Sequence, residues 1–330
     1  MRGREFLNEQ QIENCLKAHY DLDIIEILAL HRGADTNACV FKVDARAQSY
    51  FVKLRHGHYN EINLAIIELL AQAGIRQIIS PIKTNQQQVM VSIGDFHLVV
   101  YPFIDAQDAF SHSLSDQQWI LLGKALQQIH GLKVPTGMQA RLRKENYSLK
   151  FRQSVCAFYE QFNALKITDE IAEKLFAFMR QEQKIILHLV KAAENLANII
   201  PSSNPQYSLC HSDIHGGNVL VDGHDRIYIV DWDEPIMAPK ERDLMFIGGG
   251  VGNVWNQPHE EALFYQGYGN TLVDKNILAY YRYERIIEDI SEYVQQLLLS
   301  SSGGENREIM YQHFMDMFAP RGVVEIALRQ

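Results

Sequence analysis

His211-Ser212-Asp213-Ile214-His215-Gly216-Gly217-Asn218 is the stretch on which the reading of this chain turns, and Asp231 follows thirteen residues after Asn218. Tyr207-Ser-Leu-Cys210 precedes it. After it come Val219-Leu-Val-Asp222, then Gly223-His-Asp-Arg226, then Ile227-Tyr-Ile-Val230. Alternating apolar runs on either side of Gly223-His224-Asp225 predict a β-hairpin. With residues 223–226 closing it, Asp222 faces Ile227, and continuing outward sets Asn218 opposite Asp231. Cross-strand partners keep their Cβ atoms about 4.5–5.5 Å apart, a span that two oxygen ligands can bridge through one divalent cation. Asp213, on the connecting loop, then stands beside that cation as a free carboxylate. One base and two hard oxygen ligands of the kind Mg2+ takes are the parts of a phosphoryl-transfer centre.

Each residue of the stretch has a chemical and a structural reading. Asp213 is the candidate catalytic base, since an ionised Asp need only orient an acceptor hydroxyl and take its proton as the transition state forms. The alternative is an Asx-turn residue shaping the loop. His211 is expected to stay neutral and brace the loop, whereas His215 either touches phosphate or substrate or packs the loop. Gly216 and Gly217 suit a tight loop where side chains would obstruct the approach of substrate. Asp231, being anionic, is the stronger metal ligand, and Asn218 adds a neutral carbonyl oxygen. Nothing has the His/Cys spacing of a zinc site. Cys210 and His211 are neighbours on a strand and point to opposite faces, which defeats a thiol dyad.

The bulk composition narrows the class. With 330 residues, 47% hydrophobic and 22% charged, the chain is an ordinary globular protein able to bury a sizeable core. Its apolar runs fall far short of the roughly 18 residues of a membrane span. Met1-Arg2-Gly3-Arg4-Glu5 leads into polar sequence without an apolar h-region. Cys15, Cys39, Cys156 and Cys210 form no CxxC pair, so reduced thiols and a cytoplasmic location are expected. A net charge of −9 argues against nucleic acid as partner. Residues 1–100 carry 10 Lys+Arg against 11 Asp+Glu, and residues 101–330 carry 21 against 29, so the imbalance lies in the second part. It is either a solvated acidic surface or an acidic cleft that attracts a cationic small molecule.

The order of elements separates the chain into two parts. Asn8 caps a helix bearing Ile12, Cys15, Leu16 and His19. Strands are expected at 24–30, 38–43 and 49–54, a helix at 59–73 stopped by Gly74, and strands at 89–93 and 96–101. Three strands, a helix and two strands do not make a doubly wound sheet, which alternates. Pro102 in Tyr101-Pro-Phe-Ile-Asp105 cannot donate to a ladder and marks a connector. Beyond it the periodicity is helical: a helix capped by Ser115, then segments 148–163, 168–198, 258–268, 274–299 and 305–318.

Lys53 lies among apolar neighbours in Tyr50-Phe-Val-Lys-Leu54, so it needs a charged partner. Glu61 on the next helix is the first choice for that partner and Glu68 the second. The functional reading is a grip on nucleotide phosphates; the bland one is an edge-strand lysine. His31-Arg-Gly-Ala-Asp-Thr-Asn37 either folds over a triphosphate, Thr36 and Asn37 donating, or is a plain hairpin loop. Gly248-Gly-Gly-Val-Gly252 lacks the Gly-Lys-Ser/Thr of a Walker loop and is read as a flexible loop near the acceptor. Glu284, Glu288 and Glu292 recur at helical spacing beside Asp289. Their mutual repulsion marks either a solvated face or a cation site.

On these residues the chain resembles the aminoglycoside phosphotransferases and related small-molecule kinases. His211-x-Asp213-x-x-x-x-Asn218 looks like their catalytic loop, Ile229-Val-Asp231-Trp-Asp233 like their metal-binding segment, and Glu241-Arg-Asp243-Leu-Met245 like the stretch that follows. The resemblance implies an α+β, bilobal, protein-kinase-like fold: a small antiparallel N-lobe with one main helix over residues 1–101, a hinge at 102–106, and a mostly helical C-lobe over 107–330. Asp231-Trp-Asp-Glu-Pro235, residues 238–255, Gly33–Asn37 and Tyr101–Ile104 are similar, more narrowly, to the branch that phosphorylates spectinomycin on its 9-hydroxyl and so confers resistance.

Several roles follow from the resemblance. The cofactors would be ATP (or GTP) and Mg2+, with Lys53 on the α/β-phosphates, the backbone of Tyr101, Pro102, Phe103 and Ile104 on adenine, Asn218 and Asp231 on the metal, and Asp213 as base. Asp243 would brace the loop with His211. A cationic aminocyclitol acceptor needs carboxylates and flat apolar surfaces, for which Asp233, Glu234, Glu241, Trp232 and Trp255 are candidates by charge and position. The expected protein is a monomer that acts without membrane or nucleic acid. Kinases of choline, homoserine, methylthioribose or another aminoglycoside are the rival enzymes; a catalytically silent nucleotide-binding module is the rival of another class.

Overall fold

A computed structural model describes residues 7–30, 37–57, 59–162, 167, 169–300 and 306–329. The chain divides into two compact units, one of Met1–Gln107 with Val221–Asp233, the other of Asp108–Leu220 with Glu234–Gln330.

In the first unit α1 (Glu9–Tyr20) starts at Asn8, whose side chain accepts from the Gln11 amide in a capping box. Strands β1 (Ile24–Leu30), β2 (Ala38–Ala45) and β3 (Ser49–His56) lead to α2 (Glu61–Gln72), then β4 (Val91–Ile93) and β5 (Phe96–Pro102). They form one antiparallel sheet in the order β1-β2-β3-β5-β4. Alternation along β3 buries Tyr50, Val52 and Leu54 with Ile12 and Leu16 of α1. Lys53 therefore points to the other face, between Val40 and Val99. The segment 221–233 joins this unit through the Ile229 amide, which donates to Gln77 O at 2.8 Å, beside a parallel bridge from Ile78 to Ile229.

The expected hairpin is present, with a different closure. The Asp222 amide donates to Arg226 O and the Asp225 amide to Asp222 O. Asp222 thus faces Arg226 rather than Ile227, because Asp225 takes a left-handed conformation (φ 60°) and shortens the loop by one residue.

The second unit is mostly helical. Lys275–Leu297 is its central element: Ile286, Ile287, Ile290, Val294 and Leu297 share a core with Val155, Leu175, Met179, Ile186 and Leu189 from three other helices. The segment with helical periodicity over 168–198 holds two helices, Glu170–Gln181 and Gln183–Ile199, which meet at Glu182 (ψ 7°). Helices Asp116–Gly131 and Pro258–Tyr268 cross in near-backbone contact. A Cβ on Gly123 would stand 2.1 Å from Phe264 O, and one on Gly267 1.9 Å from Ile120 O. The short strand Ser208–Cys210 pairs with Ile236–Ala238, an element the sequence reading left out, and it carries the loop that follows.

Candidate active site

The 211–218 loop is held from below by one carboxylate. Asp243, fully buried, accepts from the His211 amide at 2.9 Å and the Ser212 amide at 2.7 Å, and meets His130 Nε2 at 3.0 Å. Burial alone would raise its pKa, but His130 and the loop amides outweigh that and hold it below the ordinary range. These bonds fix a loop in which Ser212 is left-handed (φ 77°). His130, Cys210 and Asp243 lie close enough to suggest a metal site. Each is already engaged, however: His130 with Tyr268 Oη at 2.7 Å, Cys210 with the carbonyls of Ala238 and Pro239. They form a brace.

Beyond the brace, the Asp213 carboxylate is half-exposed. Its Oδ1 accepts from Arg285 at 2.6 Å, and its Oδ2 lies 3.4 Å from His215 Nε2. Burial works against the charge, yet His215 and Arg285 prevail and push the Asp213 pKa well down, so the group is an ionised acceptor at neutral pH. His215 Nδ1 accepts from the Gly217 amide at 3.0 Å while the ring stacks on Phe110 (5.2 Å, 15°). The two glycines make the loop tight against that ring: a Cβ on Gly216 or Gly217 would stand 2.8 or 2.9 Å from Phe110. Asn218, buried, donates through Nδ2 to Asp213 O at 2.8 Å.

The first unit holds the other charged group. Lys53 Nζ meets Asp231 Oδ1 at 3.1 Å and Asp233 Oδ2 at 2.6 Å, while Arg55 reaches the same Asp233 oxygen at 3.2 Å. Asn63 donates to the Asp233 carbonyl. Burial would lower the Lys53 pKa, but the two aspartates outweigh it and raise it. The expected helix carboxylate is therefore replaced: Glu61 is exposed at the start of α2, and Glu68 pairs with Lys83. Asp231 has a left-handed backbone (φ 63°), a strained conformation of the kind that collects at functional sites. In the 101–104 segment Pro102 has no N–H and the Phe103 amide donates to Ser49 O. Among the described residues the Ile104 amide finds no partner. Thr36 lies outside the described residues; Asn37 does not, and its carbonyl accepts from the His56 amide.

The acceptor candidates fare unevenly. Asp233 is spoken for by Lys53 and Arg55. Glu241 is buried and accepts from the Asp274 amide at 3.0 Å at the head of the long helix. Trp232 (4% exposed) donates to Ile229 O, and Trp255 (3%) packs edge-on against Trp119, so neither offers a ring face to a ligand. Glu234 alone of the five is open, paired with Arg143 at 3.1 Å. The glycine run 248–252 is a close-packed turn rather than an open loop: a Cβ on Gly249 would stand 2.2 Å from Met245 O. Sequence reading missed Arg285, Arg55, Asn63 and His130. A lone Arg within the acidic ladder Glu284, Glu288, Asp289, Glu292 was the available signal for the first.

The chain is similar over 98% of its length, and 98% of the other's, to a solved spectinomycin phosphotransferase, APH(9)-Ia, in complex with ADP and spectinomycin, at 47% identity and a TM-score of 0.91. An AMP-bound complex of that enzyme aligns at 45% identity and a TM-score of 0.86, covering 98% of this chain and 99% of the other. An uncharacterized protein of Synechocystis sp. is 21% identical over 307 residues, 88% of this chain and 79% of its own. The model of the phosphotransferase enzyme family matches residues 26–273, from β1 past the 211–218 loop and the 231–233 carboxylates. With match and charged groups falling on the same residues, the chain is a member of the phosphotransferase enzyme family.

Proposed function

We propose that the protein transfers the γ-phosphoryl group of ATP to a hydroxyl of a cationic aminocyclitol, spectinomycin at its 9-hydroxyl, and thereby inactivates the drug. The observation that carries this reading is near full-length likeness to a spectinomycin phosphotransferase together with an ionised, half-exposed Asp213 on a braced loop.

Asp213 orients the acceptor hydroxyl. As the hydroxyl oxygen bonds to the γ-phosphorus, its proton passes to Asp213, the bond to the β–γ bridging oxygen breaks, and ADP leaves with that electron pair. Lys53 takes the α/β-phosphates, and its charge is secured by Asp231 and Asp233. Ile104 N–H and the neighbouring carbonyls pair with adenine. Asn218, its amide turned by the Asp213 carbonyl, and Asp231, with one oxygen beyond the Lys53 contact, are the hard oxygen donors that suit Mg2+. When bound, that ion neutralises charge on the phosphates.

An acidic surround supports a cationic acceptor. Burial raises the Glu288 carboxyl, with Asp289 and Glu292 adding to it, and Glu292 in turn feels burial, Asp289 and Asp213. Ammonium groups entering there relieve that repulsion. ADP release should appear with spectinomycin and not with choline, homoserine, methylthioribose or a deoxystreptamine aminoglycoside. Release with one of the others alone would reassign the acceptor.

A further inference from the structure

We infer that Arg285 is a positioning residue that divides the work of the two Asp213 oxygens, holding Oδ1 so that Oδ2 is the atom that receives the acceptor's proton. The inference rests on the reading of Asp213 as base, and goes beyond it to a residue on a different element, the helix Lys275–Leu297.

The geometry is asymmetric. Arg285 NH1 lies 2.6 Å from Asp213 Oδ1, a short charge-assisted bond, whereas His215 Nε2 stands 3.4 Å from Oδ2, beyond ordinary hydrogen-bond length. Gly217 N–H occupies His215 Nδ1, so the ring turns Nε2 toward Oδ2 at a distance too long for a tight bond. One oxygen is taken and the other is lightly attended. Arg285 is itself anchored: its Nε contacts Asp289 at 3.0 Å one helical turn on, and its guanidinium lies 5.7 Å over the Phe246 ring. A planar, doubly anchored guanidinium fixes a carboxylate's orientation as a flexible ammonium does not.

The arrangement has a chemical rationale. Asp213 sits on a loop with a side chain 41% exposed, where an untethered carboxylate turns freely. A base must point one lone pair at the hydroxyl, and misplacement of that atom is costly in rate. Arg285 and Asp289 also line a small recess with Met245, Gly249, Val251 and Ile286.

The test is steady-state kinetics of Arg285→Ala, Arg285→Lys and Asp289→Asn beside Asp213→Asn, with guanidinium ion at tens of millimolar as the added probe. Arg285→Ala should lose about 30-fold or more in kcat while the nucleotide KM stays within about twofold. Arg285→Lys should recover part of the loss, and guanidinium should raise the Ala variant several-fold but neither the wild type nor Asp213→Asn. Arg285→Ala turning over at the wild-type rate overturns the inference; so does a loss that neither Lys nor guanidinium relieves in a protein whose melting is unchanged. Should the Ala variant not fold, Arg285→Lys and Asp289→Asn both keeping wild-type kcat overturns it equally. Full turnover by Asp213→Asn sinks the base assignment and the inference together, whereas a dead Asp213→Asn beside an unaffected Arg285→Ala sinks the inference alone.

Discussion

Removing the carboxylate of Asp243 should cost this protein much of its stability before any effect on turnover is considered. That carboxylate is fully buried and accepts two backbone N–H groups, at 2.9 and 2.7 Å, with His130 as a third partner at 3.0 Å. Hydrogen bonds to a charged acceptor contribute about 1.5–3 kcal/mol each, and a buried donor left unpaired costs about 1–3 kcal/mol. These contributions overlap within one network, so Asp243→Ala should lose about 3–5 kcal/mol, as when one partner of a buried charge pair is deleted. Asp243→Asn should lose about half, because its amide oxygen serves one N–H while its NH2 faces the other. Urea unfolding at pH 7, followed by the fluorescence of Trp119 and Trp255 in the same unit, measures both variants. Because the folded pKa is depressed, the Asp243 contribution is fully present above about pH 4. It fades as pH falls through the folded value, so wild type and Asp243→Asn should converge in acid. An Asp243→Ala protein within about 1 kcal/mol of wild type would refute the bracing role.

Asp213→Asn should lower kcat by about 10^2–10^4-fold while ADP binding, followed by calorimetry, survives. Glu284 lies buried beside Arg152, and burial lifts its carboxyl to about 7 against the pull of that Arg. The folded state then binds a proton that the unfolded chain releases near 4.3, so stability should fall by about 3 kcal/mol as pH rises from 4.5 to 7. Melts of Glu284→Gln across that range should lack this slope; a slope unchanged from wild type would exclude Glu284 as its source. Trp255→Ala should cost about 3–5 kcal/mol, the usual loss for a buried aromatic, with the acceptor KM of the folded protein unmoved. A raised KM without destabilisation would return Trp255 to the acceptor site.

The elements that depend on local periodicity were readable from the residues. Ile24–Leu30 and Pro258–Tyr268 fall where alternation and helical spacing put them, and Asn8 and Ser115 cap as their positions suggested. What depends on a single dihedral or on distant partners was not. The hairpin closed one residue early because Asp225 accepted a left-handed turn. Lys53 announced a need for a carboxylate but not its source, since Asp231 and Asp233 arrive from a segment remote in sequence. Trp255 looked like a ligand platform because chain position carries no information about burial. Arg285 stood in plain view within an acidic ladder, and only the fold brings it to Asp213.

Phosphoryl transfer to the drug is tested most directly by 31P NMR of the purified protein with Mg2+-ATP and spectinomycin. A phosphomonoester resonance should grow in step with ADP, and two-dimensional coupling should place the phosphorus on the 9-oxygen. ATP consumed to inorganic phosphate alone, or left intact, would contradict it.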